Sequence, residues 1–115
     1  MHKFAKRADK YEGYPALQRY SEFYNGNPVP SLEKLEKDLA RIQGHIWVKK
    51  REFDAIARVK EKAGDELADP ETGSTLRMCF RRTQQQLMHD IKELETERDR
   101  ISEAATAQAE RLMRY

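Results

Sequence analysis

The side chains that could perform chemistry are few and lie far apart along the chain. The histidines are His2, His45 and His89, and the only cysteine is Cys79. Cys79 has no histidine at a helical spacing that would form a zinc site, which usually takes four ligands. The sequence also lacks a glycine-rich phosphate loop and a nucleophile elbow. We therefore expect no enzymatic activity, no catalytic residue, no metal, no cofactor and no small-molecule substrate.

Basic clusters are the second kind of candidate, because lysine and arginine bind the phosphates of nucleic acids. The chain carries 22 basic and 20 acidic residues, so its formal net charge is only +2. Acidic residues such as Glu52 and Asp54 follow the central cluster directly. A solvated helix face is therefore favoured, and a small dimeric nucleic-acid-binding regulator is the alternative function. Its candidate contacts are Lys49, Lys50, Arg51, Arg81 and Arg82.

Two regions repeat apolar residues in alternating steps of three and four, which predicts helices with one apolar face each. The first set is Leu32, Leu35, Leu39, Ile42, Ile46, Phe53, Ile56, Ala63 and Leu67. The second set is Phe80, Leu87, Ile91, Leu94, Ile101, Ala105, Leu112 and Tyr115. We predict an all-α fold: a long, coiled-coil-like antiparallel hairpin with helices over about 31–66 and 75–115, dimerising into a helical bundle. Ser31 and Ser74 or Thr75 are the predicted N-caps, and residues 69–73 form the predicted turn.

Residues 1–30 form a separate aromatic and basic segment, distinct from the hairpin of residues 31–115. Pro15 is suited to the first turn of a short helix, and Asn25-Gly26 is suited to end it. Pro28 and Pro30 then predict an extended connection to the first long helix.

Polar side chains interrupt the interface between the two long helices. These are Lys49, Lys60, Gln84, Arg98 and Gln108. With the turn centred near residue 71, the pairing predicts that Lys60 lies near Gln84 and Lys49 near Arg98, with Glu52, Glu95 and Glu97 within reach. The aliphatic parts of the lysine and arginine side chains could lie along apolar surface while their charges stay in water. Alternatively, these polar residues could fix the register of the two helices and the choice of partner.

The outer face of the first long helix departs most from a solvated pattern. Trp47 and Val48 point away from the interface when Ile46 lies in it, and Gly44 lies one turn earlier. Ala40, Ala55 and Val59 extend this apolar strip. Three interpretations stay open: the aromatic N-terminal segment covers Trp47, a second copy packs there, or a different protein does. In each, a two-helix hairpin alone leaves too much apolar surface exposed.

We expect a small non-enzymatic interaction factor, such as an adaptor, chaperone or inhibitor, that presents a helical hairpin surface to another protein or to itself. The candidate partner-binding residues are Phe4, Tyr11, Tyr14, Tyr20, Gly44, Trp47 and Val48. The single cysteine excludes an intrachain disulfide, and the N-terminus lacks the apolar core of a secretory signal. No apolar run approaches the length of a membrane span. We expect a cytoplasmic protein with no membrane partner.

Overall fold

A computed structural model of the chain describes residues 11–63 and 65–114. Within them the order of elements is α1 (Pro15–Phe23), α2 (Leu32–Ala63), β1 (Leu67–Asp69), β2 (Ser74–Thr75) and α3 (Leu76–Met113). The two long helices pack against each other as an antiparallel hairpin, and α1 precedes them. The predicted all-α antiparallel hairpin is thereby confirmed, and its dimerisation into a bundle stays a prediction. None of the described helices is long and apolar enough to cross a membrane.

The short helix α1 begins and ends where its residues favour it. Pro15 occupies the first turn, where a missing N–H costs nothing. Asn25 and Gly26 adopt φ angles of 60° and 77°, in the left-handed region. The Gly26 N–H donates to the Ser21 carbonyl at 2.7 Å and the Asn25 N–H to the Glu22 carbonyl at 3.2 Å. These two bonds are the Schellman motif, which satisfies the last carbonyls of a helix.

Helix α2 begins at the predicted cap. The Lys34 N–H donates to the Ser31 side-chain oxygen at 3.3 Å, which satisfies one of the unpaired amides of the first turn. Glu33 in the first turn, with Lys60 and Lys62 in the last, complements the helix dipole. The helix continues through Gly44, as its unbroken pattern predicts.

The connection between the long helices contains a short antiparallel hairpin that the sequence did not suggest. Leu67 pairs with Thr75, and Asp69 pairs with Ser74. The turn is closed by Asp69, whose side chain accepts the Glu71 N–H and whose carbonyl accepts the Gly73 N–H, both at 3.0 Å. The prediction that Leu67 belongs to the helix interface is therefore wrong: it lies in β1 and is 57% exposed. Thr75 caps α3, since its hydroxyl accepts the Met78 N–H at 3.1 Å.

The described residues divide into two compact units, to which each long helix contributes. The first unit contains residues 11–43 and 96–114. Here α1 adds a third layer, and the buried side chains are Tyr11, Leu17, Tyr20, Ser21, Leu35, Ile42, Ile101, Ala104, Ala105 and Ala107.

The second unit, Gly44–Glu95, is built from the two long helices and the small β-hairpin. Among the residues of this unit that the structure describes, Ile46, Gln84 and Leu87 are buried, whereas Phe53 and Ile91 are only half-buried. Two helices without a third layer cannot enclose their shared apolar face. This unit therefore leaves the most apolar surface open to a partner.

Candidate protein-interaction surface

The second unit carries an exposed apolar strip on the side of α2 that is turned away from α3. Its members, which we call the outer strip, are Gly44, Trp47, Val48, Ala55 and Val59. Trp47 is 59% exposed, Val48 47% and Val59 49%. At about 100° per residue, the members of the strip lie roughly 100° or more around the helix from the buried Ile46. The predicted outward direction of Trp47 and Val48 agrees with this exposure.

Gly44 contributes an indentation to the outer strip. A methyl group built on its Cα would have no other atom within 4 Å. Glycine in the middle of a helix costs about 1 kcal/mol relative to alanine, and nothing inside the chain requires it here. Gly44 is exposed, and glycine is unfavourable in a helix. Its missing side chain leaves open space beside Trp47.

The indole of Trp47 is positioned by its own helix. The Arg51 guanidinium lies 4.7 Å from the centre of the ring, at the one-turn spacing that brings two side chains together. A cation over an indole face contributes about 0.5–1 kcal/mol at an exposed site. Arg51 therefore orders the ring without removing it from water.

The described part of the N-terminal segment makes contacts within its own unit. Residues 11–30 contact one another and residues 96–114. Which of the three predicted occupants covers the outer strip (the aromatic segment, a second copy or a different protein) stays a prediction.

Two of the aromatic residues predicted to bind a partner are part of the chain's own core. Tyr11 is 5% exposed and Tyr20 is 6% exposed. The Tyr11 hydroxyl accepts the Val29 N–H at 2.8 Å, which ties the start of the segment to its end. Burial, followed by the nearby Tyr24 and Asp38, raises the pKa of Tyr20 to about 12. Neither side chain offers its ring to a partner, which corrects the sequence-based expectation.

Pairs of arginine and aromatic residues hold this segment, and the sequence analysis missed them. Arg100 lies over Phe23 at 3.4 Å, Arg111 over Tyr11 at 5.6 Å and Arg114 over Tyr14 at 5.5 Å. Tyr14 is half-buried, and Phe4 lies outside the described residues. The available signal was a row of arginines near the end of α3 that matches the row of aromatics before and within α1. That match becomes meaningful only once the two regions are adjacent.

The polar interruptions of the helix interface form specific pairs. Lys60 donates to the Gln84 side-chain oxygen at 2.9 Å, as the predicted pairing requires. Lys49 pairs with Asp90 at 3.9 Å and Lys50 with Glu95 at 3.8 Å. Asp90 was not among the carboxylates that the sequence suggested for Lys49. Part of the central basic cluster is thus neutralised within the hairpin.

The remaining candidates for chemistry or phosphate binding are not assembled. Arg81 and Arg82 are exposed on α3, and Arg82 contacts the Cys79 sulfur at 4.0 Å. His89 is paired with Glu93 on the same helix. Among the residues that the structure describes, no group of three or more His, Cys, Asp or Glu side chains could hold a metal ion.

A shallow groove of about 470 Å³ lies beside the helix interface of the second unit. Its apolar lining is Phe53, Met88 and Ile91, and charged residues border it: Lys50, Asp54, Lys92 and Glu95. The sequence did not indicate it, because Met88 falls outside the regular apolar pattern. Met88 is 59% exposed, so the groove adds to the apolar surface that this unit leaves open.

Comparison with known proteins found no matching family model, curated protein or solved structure. The functional conclusion therefore depends on the surface itself.

Proposed function

We propose that this chain is a small non-enzymatic interaction factor, of the adaptor, chaperone or inhibitor kind, that binds another protein through the outer strip of α2. One observation carries the proposal: Trp47, the only tryptophan, is 59% exposed on a helix face that also exposes Val48 and Val59. Single exposed apolar residues are ordinary, but an exposed tryptophan beside further exposed apolar side chains on one helix face is typical of a protein-binding surface.

Such a surface has the advantage that it is already ordered before a partner binds. The strip lies on a helix that hairpin packing already holds, and Arg51 already orients the indole. Binding therefore costs little conformational entropy on this chain's side of the interface. Tryptophan anchors of this kind typically account for about 2 kcal/mol or more of binding free energy when they are truncated.

The proposal is tested by substituting Trp47 and comparing the variant with a matched control. Trp47→Ala should abolish capture of the partner from a lysate of the native cells by the tagged, full-length chain. Met78→Ala removes an exposed apolar side chain, 49% exposed, from α3 of the same unit and should leave capture intact. The captured protein must then bind the purified chain directly and lose at least about tenfold in affinity with Trp47→Ala. If nothing captured depends on Trp47, the proposal is overturned.

The alternative, a nucleic-acid-binding regulator, has less support. Lys49 and Lys50 are paired with carboxylates of α3, and Arg51 lies over Trp47. Binding to duplex or single strands that falls steeply with salt, through released counterions, would favour that function over the first. For the cellular location we propose the cytoplasm, on the ground that Cys79 is the only cysteine and is a free thiol.

A further inference from the structure

The boundary between the two compact units crosses both long helices at residues that usually end or begin a helix. It falls between Gln43 and Gly44 on α2 and between Glu95 and Thr96 on α3. Both helices run through it without interruption in the folded chain. Glycine is unfavourable inside a helix but is the commonest residue just past a helix C-terminus. Threonine is likewise better as an N-cap than as an interior helix residue.

The neighbours of these two residues complete the cap signals. Arg41 lies in the turn before Gly44, where a positive charge stabilises the end of a helix. Asp99 lies three residues after Thr96, which is the spacing of a capping box. Glu97 adds a negative charge to the first turn that follows such a cap. Helix α2 can therefore end just before Gly44, and α3 can begin just after Thr96, with both new ends already capped.

We propose that the second unit, Gly44–Glu95, opens as a separate cooperative unit while the first unit stays folded. In the open form α2 ends before Gly44 and α3 begins after Thr96, and the segment between them loses its helix pairing. Opening uncovers the apolar residues that the two helices bury against each other, such as Ile46 and Leu87. The inference concerns the chain alone, so it does not depend on the proposed function.

The difference in burial between the units favours this order of opening. Among the described residues, the largest fully buried side chains all belong to the first unit: Leu17, Leu35, Ile42 and Ile101. The second unit buries Ile46 and Leu87 less completely, and its other buried residue is the polar Gln84. Since burial of apolar surface is the main stabilising contribution to folding, the second unit loses less of it on opening.

The ion pairs that join the two helices of the second unit add little to its stability. Lys49 pairs with Asp90 at 3.9 Å and Lys50 with Glu95 at 3.8 Å, and these side chains are between 32% and 55% exposed. Exposed ion pairs contribute little because water screens them. Regions with few buried apolar contacts open at a lower free energy than the whole chain unfolds. The second unit meets that condition.

Native-state hydrogen exchange of the purified full-length chain tests the proposal, under conditions where the rate reports the opening equilibrium. We compare amides of residues 46–60 and 80–92, called the second-unit amides, with amides of residues 35–42 and 100–107, called the first-unit amides. After correction for intrinsic rates, the second-unit amides should exchange at least about tenfold faster. Equal opening equilibria in the two sets, with equal dependence on urea, overturn the proposal.

A matched pair of core substitutions shows whether the two units open together. Ile101→Val and Ile46→Val make the same change at side chains that are 2% and 5% exposed, one in each unit. Such a change speeds exchange through any opening that exposes the site by about 2- to 10-fold. Ile101→Val should speed the first-unit amides and leave the second-unit amides unchanged, because the open form keeps Ile101 buried. Ile46→Val should speed both sets, because local opening and global unfolding both expose it. If Ile101→Val speeds both sets equally, the chain opens as one unit and the proposal is wrong.

Thr96→Ala tests the cap that the open form requires. Because Thr96 caps α3 only in that form, exchange of the second-unit amides should slow by about fivefold relative to the first-unit amides. Thr83→Ala makes the same change inside α3 of the second unit and should alter both sets equally. Effects of either variant on the folded chain are shared by both sets, so the difference between the sets reports the open form. An equal response of both sets to Thr96→Ala refutes the proposed boundary of the open form.

Discussion

Replacing Gly44 by alanine should stabilise the monomer, although glycine occupies that position in the chain. The added methyl group meets no atom within 4 Å, so it neither clashes nor gains a packing contact. What changes is the backbone term: alanine is favoured over glycine in a helix interior by about 1 kcal/mol. For a chain of this size, that gain corresponds to a rise in the melting temperature of about 4 °C.

The matched control is the same substitution at Gly73. A methyl group there also meets nothing within 4 Å, but Gly73 has a φ angle of +71°. An alanine in the left-handed region costs roughly 1–2 kcal/mol, so Gly73→Ala should destabilise the chain. The two variants share one chemical change and one kind of surroundings, and they differ in backbone conformation. Their effects should therefore have opposite signs.

The measurement is urea unfolding followed by circular dichroism at 222 nm, with both variants and the wild-type chain at the same low concentration. Equal slopes with a shifted midpoint would show that stability alone has changed. If Gly44→Ala lowers the midpoint, the space over Gly44 is already occupied within the chain, and its place in the proposed binding surface is refuted.

Two further substitutions test the core of the first unit. Tyr11→Phe removes the hydroxyl that accepts the Val29 N–H, and the loss of this part-buried hydrogen bond should cost about 1 kcal/mol in the free energy of unfolding. An unchanged midpoint would show that this bond does not stabilise the first unit. Burial raises the pKa of Tyr20 from near 10 to about 12 in the folded chain, so the unfolded state loses its proton first and stability should fall as pH rises from 10 to 12. Tyr20→Phe should lose less stability over that window than the wild-type chain, and it should remove the highest-pH component of the tyrosine absorbance titration; equal losses in both proteins would contradict the assignment.

The sequence determined the elements and much of their pairing, because local signals carry that information. The spacing of apolar residues defines the two long helices, and Ser31, Pro15 and Asn25-Gly26 define boundaries through bonds made within a few residues. The pairing of Lys60 with Gln84 followed from counting outward from the turn, since a short connection fixes the register of antiparallel helices. The outward direction of Trp47 followed from helical periodicity alone.

Tertiary structure decided which exposed-looking residues are truly exposed. Tyr11 and Tyr20 belong to the core because residues 11–30 pack with the last turns of α3, a contact between distant parts of the sequence. No local sequence pattern predicts such a contact, and the arginines that take part in it look like ordinary solvated charges in the sequence. The strand pairing of Leu67 with Thr75 was hidden for a similar reason, since Leu67 also continued the helical pattern. Periodicity assigns each residue to a face of its helix, but only the assembled chain determines which faces are covered.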